Sequence, residues 1–415
     1  MKRNIILTFV LFFSILTIAQ TKYVGGDISM LPSYEAANVA YKDAEGKKIT
    51  NLIEFFRDKA GYNIARVRLF VNPDKTDVGV VQDLQYAVAL SKRIKDAGLA
   101  LMFDFHYSDT WADPSNQWTP AAWTSIPQTA LPDTVYQYTK RVLETLVAEG
   151  AAPDFIQTGN EISYGMLWGP KGTKTYYCHY DKDANWARFV QLLQSAGKAC
   201  REICPDAKII IHTERTNNWG GTQKIYNRLA SVDYDVIGLS YYPEWHGDLS
   251  SLKSILNNIH ANFSDKEIMI VETGYYNNWY PENATYKLTS TWPASPDGQK
   301  KFLDDLVAAV KDMDFMKSIL YWFPEENPYQ NRVYEPWYNH GLFNPNTGQV
   351  SDALFSLQTL RGLPTAVETV GIDAASRFPS PQDAPFVYTV DGRSVSNNGN
   401  LPQGIYIHNG KKYIR

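Results

Sequence analysis

The chain of 415 residues is 44% hydrophobic and 13% aromatic, enough apolar material for one large core or two ordinary ones and far too much for a disordered chain. Its 40 basic and 44 acidic side chains leave a formal charge of −4, and no basic stripe interleaved with aromatics runs along it. Electrostatic support for a nucleic-acid partner is therefore missing, and a neutral ligand is favoured.

The first residues, MKRNIILTFVLFFSILTIAQ, set Lys2 and Arg3 before an apolar run from Ile5 to Ala19. This is the pattern of an export signal cut near Gln20. The run is too short and wrongly flanked for a membrane span, and no later segment stays apolar for about 18 residues. The mature chain is expected to lack a span and to be exported to the periplasm, the cell surface or the extracellular space. No cysteine near the cut suggests a lipid anchor. Of Cys178, Cys200 and Cys204 at least one must be free; the last two, one helical turn apart, suit neither a disulfide nor zinc, and all three are expected to pack.

Eight short β-branched or aromatic runs then follow in order: YVGGDIS near 23, ARVRLFV from 65, ALMFDFH from 100, FIQTGN from 155, KIIIHT from 208, VIGLS from 236, IMIVET from 268 and SILYWF from 318. Amphipathic segments such as NLIEFFRDKAG, DLQYAVALSKRIKDAG and QKKFLDDLVAAVKDM separate most of them, some closing in the Ala-Gly that favours a helix C-cap. Eight strands each followed by a helix predict an α/β chain folded as a (β/α)8 barrel. An open doubly wound sheet is the rival, but no Gly-rich phosphate turn follows the first strand. After SLQTLRGLP come a linker-like stretch with prolines and then alternating strands with Asp-Gly and Asn-Gly turns, too short for a robust core. The expected division is 1–20 signal, 21–362 catalytic barrel, and 363–415 linker and β-rich tail.

In such a barrel, chemistry is built where the C-terminal strand ends converge. Asp27, Arg68, His106, Glu161, His212, Tyr242, Glu272 and Trp322 all fall at such ends, and Asp109 and Asp113 close by are candidates to shape the cleft. Of 11 tryptophans, nine lie in segments just after strands, Trp111 among them, while Trp322 is in the last strand and Trp186 opens a helix. Aromatic faces suit the C–H faces of sugar rings, so the group as a whole points to a carbohydrate cleft. Glu161 and Glu272, on the fourth and seventh strands, can face each other across the barrel mouth. One acid that protonates a leaving oxygen and one opposed carboxylate are what glycoside hydrolysis needs. His106 and His212 could orient these groups, and the HYSD spacing lacks a fourth metal ligand.

TGNE and VETGY resemble the acid/base and nucleophile strands of the large clan of retaining (β/α)8 glycosidases. More narrowly, GGDISMLPSYE, ARVRLFVNP, DFHYSDTWADPSNQWTPAAW, FIQTGNEISYGMLW and GLSYYPEW are similar to glycoside hydrolase family 53, the endo-β-1,4-galactanases that cut galactan side chains of pectin, over about residues 23–360. The resemblance implies Glu161 as acid/base, Glu272 as nucleophile, Arg68 and Tyr242 as hydrogen-bond donors to the nucleophile, and Asn160 on the 2-hydroxyl of the sugar being cleaved. It implies a plant cell-wall polysaccharide as partner and no required cofactor. Some bacterial members carry an acidic, glycine-rich calcium loop after the seventh strand; here NNWYPENATYKLTSTWPASPDGQ gives calcium no support. A related activity on mannan, xylan or β-glucan, or a binding barrel without catalysis, are the alternatives. Retention of both glutamates with Arg68 and Tyr242 weighs against the second. The ending VYTVDGRSV...LPQGIYIHNGKKYIR resembles sorting tails of exported Bacteroidetes proteins of the type IX pathway; a small β appendage is the alternative.

Overall fold

The computed structural model describes residues 21–363 and, further on, 380, 386–389, 394–397, 401, 405–408 and 411–414. The expected export signal and the linker-like stretch lie outside the described residues. Each β-branched run of the sequence forms a strand: β1 (Tyr23–Asp27), β2 (Ile64–Leu69), β3 (Ala100–Phe105), β4 (Phe155–Thr158), β5 (Lys208–Thr213), β6 (Val236–Tyr241), β7 (Glu267–Thr273) and β8 (Met316–Trp322). All are parallel to their neighbours, and β1 pairs with β8 to close a barrel.

Parallel neighbours require crossovers, and these are helices at Leu52–Ala60, Leu84–Asp96, Leu131–Ala148, Trp186–Ile203, Trp219–Arg228, Leu249–Asn262 and Pro296–Val310. Several begin where a short polar side chain accepts from a free backbone N–H, as Asp83 does from Tyr86 N (2.9 Å) and Asp248 from Ser251 N (2.8 Å). Gly61 ends the first at φ 66°, a left-handed cap that glycine adopts without steric cost. The sequence leads one to expect an eighth helix, but after β8 the chain closes with 3₁₀ turns at Asp352–Phe355 and Leu357–Arg361. Their apolar residues Leu354, Leu357 and Leu360 are buried and do the covering that a helix would.

Side chains alternate along a strand, so every second residue points into the barrel. Ile64, Met102, Phe155, Ile210, Val236, Met269 and Leu320 meet there as an apolar floor. Two residues further along β2, β3, β4 and β5 the same inward direction is taken by Arg66, Asp104, Gln157 and His212, all buried. On this half of the barrel the floor is dry and the layer above it polar, which is the step from packing to chemistry.

The tail forms a separate antiparallel sheet of β9 (Phe386–Thr389), β10 (Ser394–Ser396), β11 (Ile405–His408) and β12 (Lys411–Ile414), ordered β10-β9-β11-β12 around Val387, Leu401 and Tyr406. The three cysteines are free and buried. Among the described residues no helix is long and apolar enough to cross a membrane.

Candidate active site

Arg66 organises the polar layer. Its Nη1 lies 3.2 Å from both Asp27 Oδ2 and Glu272 Oε2, and its Nη2 donates to Asp104 Oδ2 (2.8 Å) and Asn160 Oδ1 (2.6 Å). A guanidinium is permanently charged and presents donors in a fixed fork, so one residue can tie four acceptors from different strands. Asp104 also accepts from Gln157 Nε2 (2.6 Å) and pairs with His106 Nε2 (3.1 Å).

Glu272 reaches this cluster because β7 carries a bulge. Opposite Leu239 and Ser240 the partners on β7 are Ile270 and Glu272, so one residue is skipped. Val271 therefore stays with the apolar floor while Glu272 is re-aimed at the barrel mouth. Tyr242 Oη donates to its Oε1 (2.8 Å) and Arg66 holds its Oε2.

Glu161 is presented differently. After β4 the backbone turns through Gly159 at φ 109° and Glu161 at φ 48°, a left-handed conformation that costs a non-glycine residue roughly 1–2 kcal/mol. Contacts on both sides fix it: Ile162 N donates to His212 O (2.9 Å), Glu161 N to His212 Nδ1 (3.3 Å), and Gln117 Nε2 to Asn160 O (2.7 Å). His212 Nδ1 also lies 3.0 Å from Asn160 Oδ1, its Nε2 shares a hydrogen bond with Ser240 Oγ (2.8 Å), and the Ser240 hydroxyl in turn bonds the Glu161 carboxyl. Burial holds His212 well below the usual imidazole range, so the ring is neutral in this relay.

Both glutamates line one open cleft of about 700 Å³. Burial, then the nearby negative charge of Glu272 and of Glu214, raises the Glu161 carboxyl well above its ordinary value. Glu272 is pushed up by burial to about 6, opposed by Arg66 and by the Tyr242 hydrogen bond. The environments separate the two groups into a proton holder and a carboxylate that ionises first. The expected kcat/KM profile is a bell: activity rises as Glu272 ionises near pH 6 and falls as Glu161 ionises at higher pH. A pH-rate series on wild type and Glu161→Gln, with an activated aryl substrate, checks this; the basic limb should disappear in the variant.

The aromatic wall is continuous on one side. Trp111 meets Trp322 edge to face at 5.8 Å, and Trp322 meets Trp337 at 4.8 Å. Of the 11 tryptophans, Trp111, Trp245, Trp322 and Trp337 line the cleft. Others pack against neighbouring rings, such as Trp118 on Trp168 and Trp123 on Tyr138.

Asn160, His106, Tyr242, Trp111, Trp322 and Asp113 line the cleft as the sequence leads one to expect. Arg68 does not touch Glu272. It pairs with Asp27 (3.2 Å), donates to Gly79 O (3.1 Å), and lies 4.5 Å over the Trp111 ring, so its role is to support that wall. Arg66 holds Glu272 in its place. Asp27 is fully buried beneath, its oxygens taken by Ser29 N, Arg66 and Arg68, and it does not line the cleft. Asp109 braces loops through Asn72 N and Ala121 N instead. Glu214, Tyr334 and His246 also line the cleft without having been singled out. Among the described residues no group of three or more His, Cys, Asp or Glu could hold a metal ion.

Residues 23–360 match the family described as Glycosyl hydrolase family 53. The chain belongs to this family. A probable arabinogalactan endo-β-1,4-galactanase A from Aspergillus terreus is 36% identical over 325 residues, 74% of this chain and 87% of that protein. An arabinogalactan endo-β-1,4-galactanase A from Emericella nidulans is 35% identical over 324 residues, 74% and 86% of the two chains. Among solved structures, the family 53 catalytic domain of Ignisphaera aggregans superposes with a TM-score of 0.71 at 29% identity, covering 81% of this chain and 95% of that one. A fungal β-1,4-galactanase gives 0.69 at 30% identity, with 81% and 98% covered. As a family 53 member the chain is a retaining glycoside hydrolase, and Glu161 and Glu272 face the open cleft just described.

Proposed function

We propose that this chain is an endo-acting β-1,4-galactanase that cuts galactan or the type I arabinogalactan side chains of pectin. The observation that carries the reading is Glu161 and Glu272 in one open, aromatic-walled cleft, with Glu272 held by Arg66 and Tyr242. Glu161 protonates the glycosidic oxygen while Glu272 attacks the anomeric carbon; Glu161 then takes a proton from water as the glycosyl-enzyme is hydrolysed. In this reading Asn160, which is held by Arg66, donates from Nδ2 to Ala112 O (2.8 Å) and faces the same cleft, binds the 2-hydroxyl. The named relatives support galactan as substrate, and an open cleft favours internal cuts over trimming of chain ends.

Purified protein offered galactan, mannan, xylan and β-glucan should release short oligosaccharides from galactan. Release of galactose alone, or cleavage of mannan with galactan intact, would overturn the assignment. Residues 1–20 serve as the export signal in this reading, and 363–415 as a linker and appended β-rich tail. An exported protein whose N-terminus, sequenced chemically, still began at Met1 would refute the first of these.

A further inference from the structure

The aromatic wall ends in an indole that no polar bond holds. Trp337 lines the cleft, yet its Nε1 is buried and has no hydrogen-bond partner among the described residues. Its ring is placed by the rings beside it: Trp322 at 4.8 Å, and His340 at 4.2 Å with 25° between the planes. The backbone carbonyl of buried His340 accepts from Tyr321 Oη (2.7 Å) and Gln299 Nε2 (2.9 Å), so the main chain behind the wall is fixed. The imidazole is bonded at Nδ1 to the adjacent Asn339 Oδ1 (2.9 Å) and has no partner at Nε2; across the chain it rests on Tyr276, 4.2 Å away between ring centres.

Tyr276 follows β7, and its hydroxyl donates to Glu244 Oε1 (2.8 Å). Glu244 is 1% exposed, and its Oε2 has no hydrogen-bond partner among the described residues. Burying a carboxyl with one oxygen unpaired is costly, and the reaction does not use this one. Its place in the chain says what it holds. Glu244 stands in the short helical turn Pro243–His246, two residues after Tyr242, whose hydroxyl is on Glu272. Its backbone carbonyl accepts from Tyr286 N (2.9 Å), which ties that turn to the segment after β7. Glu244, Tyr276, His340 and Trp337 thus make one continuous line from the turn that holds Glu272 to the aromatic wall. Burial pushes the Glu244 carboxyl up to about 7, so below that pH it is neutral and an amide oxygen can replace it as acceptor.

We propose that Glu244 is a positioning residue for the polysaccharide chain: by holding the Tyr276 hydroxyl it fixes the ring against which His340 packs, and through His340 it sets the face that Trp337 turns to the cleft. Glu244 touches neither substrate nor reacting atoms, so its effect is on binding along the wall and not on the bond-breaking step. This rests on the reading of the cleft as a site that cuts galactan internally.

Wild type, Tyr276→Phe, Glu244→Leu and Glu244→Gln would be compared at one pH near 6 on soluble galactan and on a dinitrophenyl galactoside, whose single sugar does not extend along the wall. Tyr276→Phe and Glu244→Leu should each raise KM for galactan about fivefold, the size of one hydrogen bond, with kcat on the dinitrophenyl galactoside little altered. Glu244→Gln keeps the acceptor and should recover most of the loss seen in Glu244→Leu. Should a single variant fold poorly, Glu244→Leu combined with Tyr276→Phe removes both partners and leaves no buried group unpaired, and the same rise in KM is expected. An unchanged KM for galactan in these variants would overturn the proposal. So would a loss of kcat on both substrates with KM unmoved, which marks general packing, or a Glu244→Gln as impaired as Glu244→Leu. Failure of wild type to cut galactan while it releases dinitrophenol would instead overturn the underlying substrate reading.

Discussion

Glu161→Ala cuts galactan more slowly than wild type by roughly 10²–10⁴-fold, the usual loss when a positioned general acid is removed. The loss should depend on the leaving group. A dinitrophenyl galactoside departs without a proton, so its first step survives, while hydrolysis of the glycosyl-enzyme loses its base and becomes slow. Pre-steady-state measurement should show a burst of phenol equal to the enzyme present, followed by a slow steady rate. A variant that lost activity equally on galactan and on the dinitrophenyl substrate, with no burst, would show that Glu161 does not carry the proton. The structural basis is the relay through His212 and Ser240, which positions a carboxyl that burial and the negative charge of Glu272 keep protonated.

Arg66→Met has the largest expected effect on stability. Arg66 and its partners Asp27 and Asp104 are buried, and breaking a buried pair by removing one member typically costs about 3–5 kcal/mol because the other charge is left uncompensated. Chemical denaturation should show that loss. The same substitution removes the charge that opposes the upward push on Glu272, so the acid limb of the kcat/KM profile should move to higher pH. Arg68→Met is the control: it loses a contact to Asp27 and its place over Trp111, yet makes no contact with Glu272. Movement of the acid limb in Arg68→Met and not in Arg66→Met would reverse the assignment made here.

The choice between these arginines shows where sequence reasoning stops. Both lie two residues apart in ARVRL, so both point into the barrel, and the one nearer the strand end is the natural candidate for a site at the mouth. Which of them meets Glu272 depends on strand register and on the skipped residue in β7, and neither has a local sequence signal. The strands themselves were legible, because parallel strands buried on both faces read as short apolar runs. The helix missing after β8 was not, since its 3₁₀ turns bury the same kinds of residues that a helix would. Glu161 and Glu272 were legible as acids ending apolar strands. Glu214 lies on the same period as Ile210 and His212, and extending that alternation one step past the strand would have found it. Chain position places a tryptophan on the mouth side of the barrel, but only three-dimensional packing separates Trp337 in the cleft from Trp292, which is buried and donates to Asp305.

The central claim is that Glu161 supplies the proton and Glu272 the nucleophile of a retaining double displacement, and the anomeric configuration of azide products tests it most directly. A retaining site sets its carboxyl groups about 5–5.5 Å apart, so that one reaches the anomeric carbon while the other reaches the bridging oxygen. With an activated aryl galactoside and azide, Glu161→Ala should form the glycosyl-enzyme and yield a β-galactosyl azide. Glu272→Ala can form no such intermediate, and azide in the vacated space should attack from the opposite face to yield the α product. NMR of the two purified products would show that pattern if the assignment is right. The β azide from Glu272→Ala and the α azide from Glu161→Ala would contradict it by exchanging the roles.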